Sequence, residues 1–189
     1  MICEALASGE QTLVLRKGGI AEGRRGFSWQ HEKFFLFPTH FHQQIDGVRG
    51  DREVSPADPD NRIAIELWAE IITTARLTDW DRVTHLATHH VWTEKVVRER
   101  FEWGEQAGLS VALLRIHRLG EPWLLADADR PAFGGCRSWL DLPLSEWKGG
   151  SGGLAERIAS AEAVISDTEF EHRRSEIIPL LEGQASSQP

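Results

Sequence analysis

Arg16-Lys17-Gly18-Gly19 sets two cations against two residues that have no side chain. Basic groups at a strand end beside a glycine turn can hold an anion, with backbone N–H groups helping. The spacing is not that of a phosphate loop, because GxxxxGK[ST] is absent and no helix obviously follows. A solvated strand end with a tight turn is the plain alternative, since such turns are common without function.

Three further clusters carry polar chemistry. His40, His42 and Gln43 follow the run FFLFP, and positions 40 and 42 point the same way if the chain stays extended. With His89 and His90 they would supply imidazoles, but no carboxylate or cysteine completes a metal-ligand spacing, so no metal is expected. A polar pocket lining or ordinary hydrogen-bonded histidines fit better. Trp92, Arg100, Phe101 and Trp103 form the next cluster. Trp92 and Val97 have hydrophobic-staple spacing around a helix start, and an exposed Trp beside an Arg can instead stack on a base. The last is Gly134-Gly135-Cys136-Arg137-Ser138-Trp139, a tight bend that lets Trp139 pack. Cys136 as a nucleophile would need a base that the sequence does not identify. Glu66 and Glu70 stand in an apolar segment, and Asp60 with Glu66 faintly resembles a nuclease carboxylate pair. Trp68 occupies the place two residues after Glu66 where such a pair has lysine. No catalytic residue is assigned.

These side chains need a scaffold. Met1 to Leu6 and Gln11 to Arg16 read as two strands joined by residues 7–10. In the second, Thr12 and Val14 share one face and Leu13 and Leu15 the other. Residues 21–32 read as a polar loop with Arg24, Arg25 and His31. Phe34 to Phe37 is a short strand stopped by Pro38, and residues 47–61 a surface loop. Arg62 to Leu77 fits both helical spacing and strict alternation, and its four isoleucines and two threonines favour a long strand. Thr78 or Asp79 caps a short helix to about His89, and Thr93 caps one over about 94–103. Leu109 to Leu119 is a central strand and 120–150 irregular. Ser151-Gly152-Gly153 reads as a linker, 154–165 has helical periodicity, and Ser166 with Glu169 opens a last helix limited by Pro179 and Gly183. Residues 184–189 should fray.

One domain over 1–150 and a C-terminal helical appendage over 151–189 is the expected organisation of these 189 residues. Apolar residues make up 41% and charged residues 26%, ordinary for a globular protein. The formal charge of -8 argues against a generic nucleic-acid binder, which needs basic surface. Residues 1–50 nevertheless hold six Lys/Arg against five Asp/Glu, which leaves room for a local positive pocket. Cys3 and Cys136 lie far apart and read as reduced thiols. There is no basic start followed by a long apolar run, nor any apolar run near the ~18 residues that span a bilayer. A cytoplasmic protein without membrane contact is expected.

EALASGEQTLVLRKGGI, LFPTHFHQ, HVWT followed by RFEW, LLRIHRL and GGCRSWLDL together resemble the bacterial family called domain of unknown function 1802, over about residues 3–142. The resemblance implies little chemistry, because no established activity comes with it. Some relatives are linked to restriction-endonuclease-like domains, which implies a connection to DNA restriction or defence. Ala5-Leu6 through Gly9-Glu10-Gln11-Thr12 to Arg16 is more distantly similar to the ASCH branch of the PUA-like superfamily. That resemblance implies a small mixed β-barrel with flanking helices and a cleft for RNA, modified bases or nucleosides. Gln11 stands where the motif has the lysine that serves catalysis in hydrolytic members, so amidohydrolase activity does not carry over.

The expectation is an α+β, PUA-like barrel that binds RNA, single-stranded or modified DNA, or a nucleotide in a cleft, without a cofactor. Arg16 and Lys17 would meet phosphate or a carbonyl, His42, Gln43 and Ser138 would read polar edges, and Trp92, with Arg100 beside it, or Trp139 would stack. A metal-dependent nuclease or small-molecule hydrolase using Glu66 or Glu70 and His42 is the alternative. A third reading is a protein partner in a defence complex, with the C-terminal helices as the contact.

Overall fold

The computed structural model describes residues 1–17, 27–38, 47–50, 59–126, 133, 138–143 and 153–182. The elements in order are α1 (Ile2–Ala7), β1 (Leu13–Arg16), β2 (Lys33–Phe35), β3 (Ile63–Leu77), α2 (Trp80–His85), α3 (Glu94–Glu102), β4 (Leu109–Leu125), α4 (Leu154–Ala159), β5 (Glu162–Ala163) and α5 (Asp167–Glu182). A 3-10 turn over Ala87–His89 links α2 to α3. The fold is α+β. His40, His42, Gln43, the Gly18-Gly19 turn, Arg24, Arg25 and Cys136 lie outside the described residues.

Two long antiparallel strands organise everything else. β3 pairs with β4 from Leu77 opposite Leu109 to Ile63 opposite Leu125. Alternation and β-branching win over helical spacing in 63–77 because a neighbour of matching length is available to complete the ladder. The register slips twice. Ile65 faces Trp123 while Leu67 faces Arg118, so residues 119–122 bulge opposite Glu66 alone. Pro122 is tolerated inside the strand because it sits in that bulge, where no ladder N–H is required of it. β4 therefore runs six residues beyond Leu119, into a stretch that its proline marks as irregular.

The sheet is open. Its order is β1-β4-β3-β2, and β5 continues along the β4 edge that β1 occupies, pairing at His117 and Arg118. β1 and β2 stand at opposite edges, and the sheet is not closed into a barrel among the described residues.

Each face of the sheet carries its own core. On one face Leu13, Leu15, Leu109, Val111 and Leu113 meet Val83 and Leu86, Val97 and Phe101 of α3, and Phe170, Ile177 and Leu181 of α5. On the other, Leu67, Ala69, Ala112, Leu114 and Ile116 meet Leu6 of α1, with Val14, Trp29 and Phe34 packed beside them. The residues expected as a C-terminal appendage thus supply β5 to the sheet edge and three side chains to the first core.

The segment expected as a first strand is α1. Glu, Ala and Leu there are strong helix formers, and the turn of helix buries Ala5 and Leu6 together. Helix α5 begins as read, with the Glu169 N–H donating to Ser166 Oγ at 3.2 Å, but it runs through Pro179 rather than stopping there. Leu181 beyond the proline is 3% exposed. Burying a leucine is worth about 1.5–3 kcal/mol, comparable with what a proline removes from a helix. Arg82 of α2 also donates to the Leu180 carbonyl near that helix end. In 154–165 the helix is only α4, and the chain then turns to form β5.

Candidate functional site

Arg16 ends the edge strand β1, on the face that Val14 shares. Its Nη2 donates to Ser138 Oγ at 2.6 Å, and its guanidinium lies over the Phe27 ring at 5.2 Å from the centroid. The strand end, residues 27–28 and residues 138–139 are thereby joined. Trp139 lies near-parallel to Phe27 with centroids 6.1 Å apart, and its Nε1 donates to the Ser28 carbonyl. Trp29, His31 and Phe34 meet the Trp139 ring edge-to-face at 5.2–6.4 Å. Such edge-to-face contacts are favourable for aromatic quadrupoles. Phe27, Trp29 and His31 alternate in sequence, the one signal that marks them as a shared aromatic side rather than a polar loop.

Arg100 approaches from α3. Thr93 precedes the helix as expected, but its hydroxyl donates to the Gly47 carbonyl at 3.3 Å instead of capping. Trp92 packs against the core that contains Val97, which fits a hydrophobic staple. Its ring also carries the Arg100 guanidinium, 3.9 Å from the centroid. Burial, and then the positive charge of Arg16, pull the Arg100 pKa down to about 10. Each of these two guanidiniums, from different elements, is laid on an aromatic ring and half-buried. Stacking of this kind is favourable for arginine.

Lys17 does something else. Its ammonium donates to the carbonyls of Phe101 at 2.9 Å, Gln106 at 2.6 Å and Gly108 at 3.0 Å. Three donors meet three acceptors, at the carbonyl-rich end of α3 where a cation is favoured. Burial, and then Arg76, lower its pKa. Lys17 holds the turn after α3 against the end of β1.

The stretch that carries both resemblances is a packing joint. Gly9 has φ 72°, and a Cβ there would stand 2.4 Å from Ile165 Cγ2. Gln11 is 1% exposed, donates to the Leu13 carbonyl and accepts from the Val91 N–H at 3.0 Å. Thr12 is also buried, and its hydroxyl finds no hydrogen-bond partner among the described residues. Burial pushes the nearby Cys3 thiol up to about 11, far from the range of a reactive thiolate.

The carboxylates singled out for hydrolysis are in ion pairs. Glu70 meets Lys33 at 3.1 Å, and Glu66 meets Arg118 at 3.5 Å. Among the described residues no three of His, Cys, Asp and Glu gather closely enough to hold a metal ion. His90 is buried, and its Nδ1 accepts from the Trp92 N–H at 3.1 Å. Of the sequence candidates, Arg16 and Ser138 meet beside Trp139, Arg100 and Trp92 stack on each other, Lys17 is held by its three carbonyls, and His42 and Gln43 are outside the described residues.

The model of a family described as "Domain of unknown function (DUF1802)" matches residues 1–176. The chain belongs to this family. The match extends past the motifs of residues 3–142 to take in α4, β5 and most of α5. No curated protein and no solved structure matches the chain at a significant level.

Proposed function

We propose that the protein binds a nucleotide, a modified base or a short single strand of nucleic acid, with phosphate on Arg16 and Arg100 and a base against Trp139. The observation that supports this reading is the Arg16 guanidinium held on the Ser138 hydroxyl and the Phe27 ring, beside Trp139, with a second guanidinium, Arg100, stacked on Trp92. Guanidinium forks match phosphate oxygens, and base–aromatic stacking contributes about 1–3 kcal/mol per base. His42 and Gln43 remain candidates for reading base edges. The distant PUA-like similarity suggests the same ligand class, but the open sheet leaves the reading resting on the cluster rather than on a barrel cleft.

Titration of nucleotides, single-stranded RNA, single-stranded DNA and modified duplexes at low and moderate salt tests it, followed by calorimetry and by quenching of tryptophan fluorescence. Saturable binding that weakens in Arg16→Ala and Arg100→Ala, with the fold retained by circular dichroism, is the expected result. A folded protein that binds none of these ligands removes the reading.

A further inference from the structure

One polar row crosses the sheet at the end of β1. Antiparallel pairing sets Arg16 of β1 and Arg76 of β3 opposite the same residue of β4, Ser110. Directly opposed residues share a face, with Cβ atoms about 4.5–5.5 Å apart. Ser110 therefore has an arginine on each side, on the face that Val14, Ala112 and Thr74 continue as the next row. Arg16 is placed by the Ser138 hydroxyl and the Phe27 ring, so the row begins at the aromatic set around Trp139.

The middle and the far end of this row lack partners. Ser110 is 7% exposed, and its hydroxyl has no hydrogen-bond partner among the described residues. A buried hydroxyl in that state is destabilising, and alanine would fill the place without the penalty. Arg76 is exposed and, among the described residues, makes neither an ion pair nor a hydrogen bond. Its Nε lies 3.2 Å from where a Cβ on Gly108 would stand, so the side chain lies against the chain that leads into Ser110 two residues later. Burial and then Arg76 lower the pKa of Lys17, which puts the Arg76 charge near the end of β1. A hydroxyl flanked by guanidiniums is a donor set for an oxyanion: the forks match paired oxygens, and the hydroxyl supplies a further direction.

Resting on the reading above, we propose that Ser110 and Arg76 are phosphate-binding residues, the phosphate group seating over the Ser110 hydroxyl with Arg76 on one side and Arg16 on the other. A nucleotide, a strand of nucleic acid and inorganic phosphate share that group.

The test is calorimetry on the full chain with inorganic phosphate, the four common nucleoside 5′-monophosphates, the matching nucleosides and a short single strand, for the parent, Ser110→Ala and Arg76→Ala. Neither substitution removes a hydrogen bond or ion pair of the fold, so Ser110→Ala is expected to melt at or above the parent's temperature and Arg76→Ala close to it. Arg76→Ala is expected to weaken the best-bound phosphate ligand at least about tenfold, and Ser110→Ala about three- to tenfold, the sizes of a charge-assisted and an ordinary hydrogen bond. Arg76→Lys keeps the charge but loses the fork, and its loss should fall between parent and Arg76→Ala. With those losses, inorganic phosphate that binds as well as the monophosphates makes free phosphate the source, tighter monophosphates make the nucleotide the source, and a tighter strand makes it nucleic acid. Each of these results supports the proposal. A monophosphate or strand that binds parent, Ser110→Ala and Arg76→Ala alike overturns it and leaves nucleotide binding standing. A Ser110→Ala protein that melts clearly below the parent makes the hydroxyl a structural group and overturns its role in binding. If no phosphate-bearing ligand binds the folded parent, both readings fall together.

Discussion

Gly9 and Gln11 decide what the most recognisable stretch of this chain is for. The αL backbone at Gly9 and the 2.4 Å approach of Ile165 predict that Gly9→Ala destabilises the protein by roughly 2–4 kcal/mol, strain and overpacking together. Chemical denaturation measures it, and adding Ile165→Ala should restore part of the loss, because the two changes meet at one contact. Gln11→Lys tests the motif comparison directly. At 1% exposure a lysine would bury a charge and leave the Val91 N–H without its acceptor, so a loss of several kcal/mol is expected. A Gln11→Lys variant as stable as the parent would show that position 11 opens on a solvated cleft. The sequence presents Gly9 to Arg16 as a functional motif because spacing carries no information about burial. Only the partner residues, 80 and more positions away, show that Gln11 bridges β1 to residue 91.

At the scale of elements, local patterns were legible where one neighbour sufficed to fix them. β3 and the central part of β4 follow alternation, the starts of α2 and α5 follow capping residues, and α3 begins after Thr93 although that hydroxyl bonds Gly47 instead. α1 was not, because a six-residue stretch of Ile, Cys, Glu, Ala and Leu suits a strand until its burial partners are known. Pro179 misleads for a similar reason, since the burial of Leu181 outweighs a local rule. Pro179 is exposed, so Pro179→Ala should add about 1–3 kcal/mol of stability by restoring a helical hydrogen bond, read as a higher melting temperature. Unchanged stability would mean that α5 beyond residue 176 adds little. The joint between residues 47–49 and 90–92 makes a prediction in pH. Burial, then Arg49 and His89, lower the His90 pKa from 6.5 to about 4. The unfolded chain therefore binds the extra proton first as pH falls. The contribution of neutral His90 is whole above pH 6.5 and is lost as pH falls toward 4, on the order of 1–3 kcal/mol. His90→Asn offers an acceptor in place of Nδ1 without titrating there, so its stability should change less than the parent's between pH 7.5 and 4.5. Parallel curves for the two proteins would rule out His90 as the titrating group.

At the scale of the whole molecule, the question is whether residues 151–189 are an addition or part of the body. Gly-rich composition at 151–153 reads as a linker, and composition alone cannot tell a flexible spacer from a tight return to the core. α5 returns: Phe170, Ile177 and Leu181 are each 5% exposed or less and lie in the cluster built on Leu13, Leu109, Val111 and Leu113. Three such side chains are worth roughly 5–9 kcal/mol of apolar burial, against a total stability of about 5–15 kcal/mol for a domain. Arg115 of β4 adds a tie to α5, on Asp167 at 2.5 Å and over the Phe170 ring at 4.6 Å. Ending the chain at residue 150 is thus expected to abolish cooperative unfolding, with near-ultraviolet circular dichroism lost and dye-binding apolar surface gained. Phe170→Ala in the full chain should produce a graded version, about 3–5 kcal/mol. The same pair of measurements separates a structural role from a docking role for these helices. A truncated protein that melts cooperatively near the parent's temperature would make α5 a removable arm, free to serve as a contact for another protein. A truncated protein that cannot fold would mean that any partner of this face must bind it with α5 already seated on the sheet.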